Sequence, residues 1–279
     1  MFCEKQFISS IQFAIFEKKN MKYLVLLIFL GFYQLQAQSY LDFYFKANNI
    51  DGGIVIYNQN KEEWLFNTES EAFTNTPIAS HFHLWQALVG LEQKIITTGV
   101  HDKQLWDGVK RTFFGEPKPE WNFSSNLIDA LKHKNDWYFE RLKAHLPKDI
   151  YEKQIVNAPL HKEIKNNEWP YFWNYGVLTN PNTLILFLKD LHETKLPFAK
   201  KSQQFVFNHL LLNEHLAVNT VKTHYDGQVI EWTLGVYLKQ NKPIYFSYRT
   251  RRSLEAKVEE DYEYRRNLVL AQIFEVLNY

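Results

Sequence analysis

Cysteine is almost absent: the one residue, Cys3, stands at the extreme N-terminus. A chain with a single thiol forms no internal disulfide, and past residue 3 it has no cysteine nucleophile and no zinc thiolate. An excess of charge is also lacking, since 32 Lys and Arg face 31 Asp and Glu for a formal net charge of +1. Near neutrality gives no reason to expect a nucleic-acid partner. No repeat, low-complexity tract or Pro/Ser-rich linker divides the sequence, and the apolar run from Tyr23 to Phe32 is too short to span a bilayer comfortably. Aromatic side chains are plentiful, at 16% of residues. Each buries a large area, so they supply a sizeable core and can also line a groove.

The first part of the chain is not fold. Met21-Lys22, the apolar run that follows and Leu35-Gln-Ala37 read as a secretory signal peptide with a small residue at the cleavage point. Residues 1–20 carry mixed charges that suit neither a signal nor a core, and they read as an over-extended start with Met21 as the initiator. The expected mature unit is one domain over residues 38–279, periplasmic or otherwise exported, with no membrane span once the signal is removed. Losing residues 1–37 takes away Lys5, Lys18, Lys19, Lys22, Glu4 and Glu17 and leaves a formal net charge of −1.

Hydrophobic periodicity changes twice along that unit. Ile54 to Tyr57 and Glu63 to Phe66 are short β-like runs around the polar turn Asn58-Gln-Asn-Lys61, which predicts a hairpin. From Ser80 to about His215 the spacing is helical, as in Leu84, Leu88 and Leu91. Val218 to Thr223, Glu231 to Leu238 and Ile244 to Tyr248 return to strand composition, broken at Asp226-Gly227 and Gln240-Asn241, and Tyr262 to Leu277 predicts a closing helix. The expected fold is α+β: an antiparallel sheet packed on terminal helices, with an inserted helical subdomain and a site at their junction.

At that junction lies Thr76-Pro-Ile-Ala-Ser-His-Phe-His-Leu-Trp-Gln-Ala-Leu-Val-Gly-Leu-Glu92. A small-residue turn running into an apolar helix puts the Ser80 hydroxyl at a helix N-terminus, where backbone N–H groups stabilise developing negative charge. An N-cap of a buried helix would use the same serine. The block resembles the Ser-x-x-Lys segment of class D β-lactamases and penicillin-binding transpeptidase and sensor domains, with His83 at the lysine position. Further likenesses follow in the family's order. They are Asp51-Gly-Gly-Ile-Val-Ile-Tyr57, the Trp106-Asp-Gly108 loop, Lys134-Asn-Asp136 at the Ser-x-Val motif, Phe172-Trp-Asn-Tyr-Gly176 in the omega loop, and Lys222-Thr-His224 at Lys-Thr-Gly.

The resemblance implies attack of Ser80 on a β-lactam or peptidoglycan stem-peptide carbonyl, with no cofactor. In the family the lysine takes up carbon dioxide as a carbamate and is the general base, whereas imidazole forms no stable carbamate, so weak or lost hydrolysis is expected. The alternative is a non-catalytic binder of peptidoglycan peptide or an envelope partner through the old cleft. Candidate catalytic residues are Ser80, His83, Lys134, Asp136 and Lys222. Asp136 either orients His83, giving a triad-like set, or is neutralised by Lys134. Candidate substrate-binding residues are Thr223, His224, Trp173 and Arg265, the last as receiver of a substrate carboxylate. His224 in place of glycine should obstruct the cleft. A metal held by His83, His224 and Asp136 is a further chemical option.

Overall fold

The computed structural model describes residues 40–156, 158–160, 163–164, 176–239 and 242–277. Helix α1 (40–47) leads into β1 (Asp51–Asn58) and β2 (Glu63–Phe66), the hairpin that the sequence announces. A short helix α2 (Glu69–Phe73) and the two-residue strand β3 (Thr76–Pro77) follow, then the central helix α3 (Phe82–Glu92). The insert adds the hairpin β4 (Thr112–Phe113) and β5 (Glu116–Pro117), helices α4 (Leu127–His133) and α5 (Asp136–His145), and strands β6 (Glu163–Ile164) and β7 (Val177–Thr179). Helices α6 (Pro181–His192) and α7 (Lys200–Asn208) lead back to β8 (Leu211–Asn213), β9 (Leu216–Tyr225), β10 (Gln228–Lys239) and β11 (Lys242–Ser253). Helix α8 (Tyr262–Leu277) closes the chain over the span expected of it.

The main sheet has the order β2-β1-β11-β10-β9-β8 and its pairs are antiparallel. Alternation along each strand splits its residues between two cores. One face, with Ile54, Ile56, Phe246 and Tyr248, packs on α1 and α8 through Leu41, Phe45, Val269 and Ile273. The other, with Val55, Val221, Trp232, Leu234 and Tyr245, packs on the insert through α3, α5 and α6. Asp226 and Gly227 both take positive φ, the conformation of a two-residue type I′ turn, which is why Asp-Gly joins β9 to β10.

Helix α3 is buried from Phe82 to Gly90, apolar on every side as befits a helix enclosed by the insert and the sheet. Its approach is fixed from below by a buried ion network. Arg249 donates to Glu71 at 2.6 Å, to the Thr74 carbonyl at 2.9 Å and to the Thr76 hydroxyl at 2.7 Å, while Arg251 pairs with the other Glu71 oxygen. Gly53 makes room for this, since a Cβ there would lie 2.2 Å from Glu71 Cγ. The same guanidinium sits 4.8 Å from the Trp232 ring, so α2, β3, β10 and β11 are tied at one point beneath the turn that carries Ser80.

Candidate functional site

Strand β3 pairs with β7, and Ile78 N–H continues the ladder to the Val177 carbonyl. The chain then turns sharply: Ala79 has φ of 52°, a left-handed conformation that an alanine adopts at a cost of about 1–2 kcal/mol. Ser80 follows in the single 3₁₀ turn Ala79–His81 that opens α3, and only 6% of its surface is exposed. Among the described residues its hydroxyl has no hydrogen-bond partner. Two buried histidines flank it.

His83, one helical turn on, faces Asp136, with Nε2 at 2.9 Å from Oδ1, and Phe139 stacks on the imidazole at 4.2 Å. Burial lowers the His83 pKa, against the opposing effect of the Asp136 carboxylate, and the nearby Lys134 charge lowers it further. Burial thus favours the neutral imidazole, and Nε2 is the ring nitrogen that faces the carboxylate. Asp136 is fully buried as the first residue of α5, where the helix dipole favours an anion. It arrives there because α4 ends on Lys134 in the left-handed conformation (φ 50°), so a two-residue join turns the chain directly into α5.

Lys134 makes no ion pair with Asp136 among the described residues, whereas His83 lies against that carboxylate. The amine of Lys134 is largely buried, which lowers its pKa, and its charge acts on both His81 and His83. His81 is fully buried on the other side of Ser80. Its Nδ1 accepts from Asn219 Nδ2 at 2.9 Å, its ring meets Trp232 edge-on, and burial, reinforced by Lys134, pushes its pKa down to about 3.

The strand residue set against the serine turn is thus Asn219, three positions before the expected Lys222. Alternation places Asn219, Val221 and Thr223 on the face toward α3, with Lys222 and His224 on the other. Thr223 is buried. Lys222 reaches the insert hairpin instead, 3.5 Å from Glu116, and His224 stacks on Phe114 with ring centroids 4.1 Å apart. Burial and the Lys222 charge lower the His224 pKa. His224 does not converge with His83 and Asp136, and among the described residues no group of three His, Cys, Asp or Glu side chains could hold a metal ion.

Arg265 is not brought to this cluster. It lies on α8, across the sheet, where it donates to the Asn48 carbonyl at 2.9 Å and pairs with Asp261 at 3.1 Å and with Glu259. The guanidinium level with His224 in the sheet register is Arg252, opposite Val229, and its charge acts on His224. Trp173 lies outside the described residues. Asn219, His81, Phe114 and Glu116 escaped the sequence reading, although Phe114-Gly115 carries the glycine of a tight turn that marked the hairpin.

The arrangement, a serine opening a buried helix between β9 and a helical insert, is similar to the class D β-lactamase and penicillin-binding fold. Comparisons with known proteins agree. No family model matches the chain. Over 173 residues it is 27% identical to the methicillin resistance mecR1 protein of Staphylococcus aureus, covering 61% of this chain and 28% of that protein. It is 23% identical over 171 residues to the regulatory protein BlaR1 of Bacillus licheniformis, with the same coverage of 61% and 28%. The chain spans less than a third of either. The crystal structure of a class D β-lactamase from Sebaldella termitidis superposes with a TM-score of 0.73 at 20% identity, covering 85% of this chain and 95% of that one.

Proposed function

We propose that this chain is an exported, penicillin-binding domain in which Ser80 reacts slowly with a β-lactam or peptidoglycan-peptide carbonyl and hydrolytic turnover is weak or lost. The observation that carries this reading is the buried His83–Asp136 pair one turn after Ser80. Ser80 Oγ attacks the carbonyl carbon as its proton passes to His83 Nδ1; Asp136 holds the tautomer and stabilises the imidazolium, and backbone N–H groups at the start of α3 receive the developing oxyanion. The proton then goes to the departing amide nitrogen. Lys134 adds positive charge beside the reacting atoms.

Turnover fails at the second step. His83 is 1% exposed and covered by Phe139, so a deacylating water does not reach it in the closed protein, and no lysine carbamate substitutes for it. Export follows from Met21 to Ala37. No helix among the described residues is long and apolar enough to cross a membrane.

Intact mass spectrometry after incubation with a penicillin tests the reading. The expected result is a stable adduct of one penicillin mass, on Ser80 by peptide mapping, absent in Ser80→Ala and formed about 10²–10⁴-fold more slowly in His83→Ala. No adduct at millimolar penicillin would favour the non-catalytic binder, to which the absence of a hydrogen-bond partner for the Ser80 hydroxyl among the described residues already points. Rapid hydrolysis would overturn the loss of turnover.

A further inference from the structure

Helix α6 carries more apolar surface than the core takes from it. Leu184, Ile185, Leu188 and Leu191 are buried in the main core. Thr183, Leu186, Phe187 and Asp190, at i, i+3, i+4 and i+7, form a second stripe along the helix. That stripe borders a cavity of about 200 Å³ whose other walls are Pro159, Leu160 and Leu196. Leu186 is 48% exposed, an apolar side chain that folding leaves uncovered at the hollow. Phe187 is buried, and its ring reaches Trp85 of α3 with centroids 6.3 Å apart, which holds this wall against the central helix.

The polar groups of the stripe differ in what they have to bond with. The Thr183 hydroxyl donates to Asn180 Oδ1 at 2.9 Å and is satisfied at the start of the helix. Asp190 sits in the last turn of α6, where the carbonyl end of the helix disfavours an anion and favours a cation. Among the described residues no hydrogen bond or ion pair engages its carboxylate. Lys189 and Lys195 are both drawn to Glu193 instead, at 2.9 and 2.6 Å, although Lys195 also senses the Asp190 charge. An otherwise apolar hollow is thus bordered by one carboxylate at the negative end of a helix. The complement of that surface is a positive charge on an apolar body. An apolar cavity of about 150 Å³ is enough to hold benzene. At about 200 Å³ this one takes a six-membered ring with a short arm.

We propose that this cavity binds a small primary amine with a compact apolar body, the body resting on Leu160, Leu186 and Phe187 and the ammonium on the Asp190 carboxylate. It shares no residue with the Ser80 cluster, so it stands or falls apart from the acylation reading. The probe is phenethylamine, protonated at pH 7, titrated into the isotope-labelled full chain while amide shifts are followed by NMR. 2-Phenylethanol supplies the same body with a neutral head. The expected result is saturable shifts at Thr183, Leu186 and Phe187, with the amine bound about 5-fold more tightly than the alcohol, the range of a solvent-accessible ion pair. Raised salt should shrink that preference. Asp190→Asn, which removes no bond found among the described residues, should leave the alcohol unaffected and bring the amine down to it. Leu186→Ser should weaken both probes by about 3-fold through lost apolar contact. No shifts at these amides with millimolar amine would overturn the site, as would equal affinity for the two probes in wild type or a preference that survives Asp190→Asn. A dipeptide amide with an N-terminal phenylalanine carries the same ring and ammonium on a peptide; tighter binding of that probe than of phenethylamine would overturn the assignment to small amines in favour of peptide N-termini.

Discussion

Mild acid should destabilise this protein through His81 before carboxylates titrate. His81 is fully buried and its folded-state pKa is held down to about 3 against an ordinary value of 6.5. In the unfolded chain the imidazole takes up a proton as pH falls through 6.5, whereas in the folded chain it stays neutral until about 3. The unfolded state therefore binds more protons in that window, so stability is highest above pH 6.5 and declines below it at up to about 1.4 kcal/mol per pH unit. Between pH 7.5 and 5 the loss from His81 alone is about 2 kcal/mol. His83, also lowered by burial, contributes in the same direction. The assay is urea unfolding at several pH values in that range, for wild type and His81→Gln. Glutamine keeps an acceptor for Asn219 and does not titrate. The variant is less stable overall, since it loses the edge contact with Trp232, but its loss between pH 7.5 and 5 should be smaller by about 2 kcal/mol. An identical loss in both proteins would refute the assignment of that proton to His81.

Glu71→Ala leaves Arg249 buried without its carboxylate and should lower stability by about 3–5 kcal/mol in urea unfolding at pH 7; a change under about 1 kcal/mol would show that the network is solvated. Gly235→Ala sets a Cβ 2.5 Å from the buried Phe246 ring and 2.8 Å from the Ala217 carbonyl, with an expected cost of about 1–3 kcal/mol that a near-neutral unfolding midpoint would contradict. Asp136→Asn, by disturbing the His83 tautomer, should slow adduct formation on Ser80 by about 10²-fold; a wild-type rate would remove Asp136 from the chemistry. Mature protein recovered from the cell envelope should begin near Gln38, and an intact Met1 form in the cytoplasm would refute export.

The sheet and its closing helix were legible because their signals are local. Alternation marks β1, β2 and β9 to β11, Asp226-Gly227 names its own turn, and the helical spacing of Tyr262 to Leu277 has no competing pattern. Within the site, the placement of Ser80 before a buried helix and of Asp136 toward His83 could be anticipated by motif. The strand was harder. Lys222 matched a residue pattern, but facing is set by the register of β9 against β10, and Asn219 is the residue whose parity and distance bring it to His81. Arg265 failed for a related reason: a basic residue at a helix start says nothing about which side of the sheet the helix covers. The Phe114-Gly115 turn had only a glycine to announce it, and the His224 ring that Phe114 meets lies 110 positions away.

The His83–Asp136 pair also constrains how this corner of the protein can change. Both side chains are enclosed, and each is part of the polar surroundings that replace water for the other. Removing one therefore alters the cost of keeping the other, so the effects of changing both positions should depart from the sum of the single effects. A lysine placed at 83 while Asp136 remains would be held as an ammonium by that carboxylate rather than serving as a neutral amine.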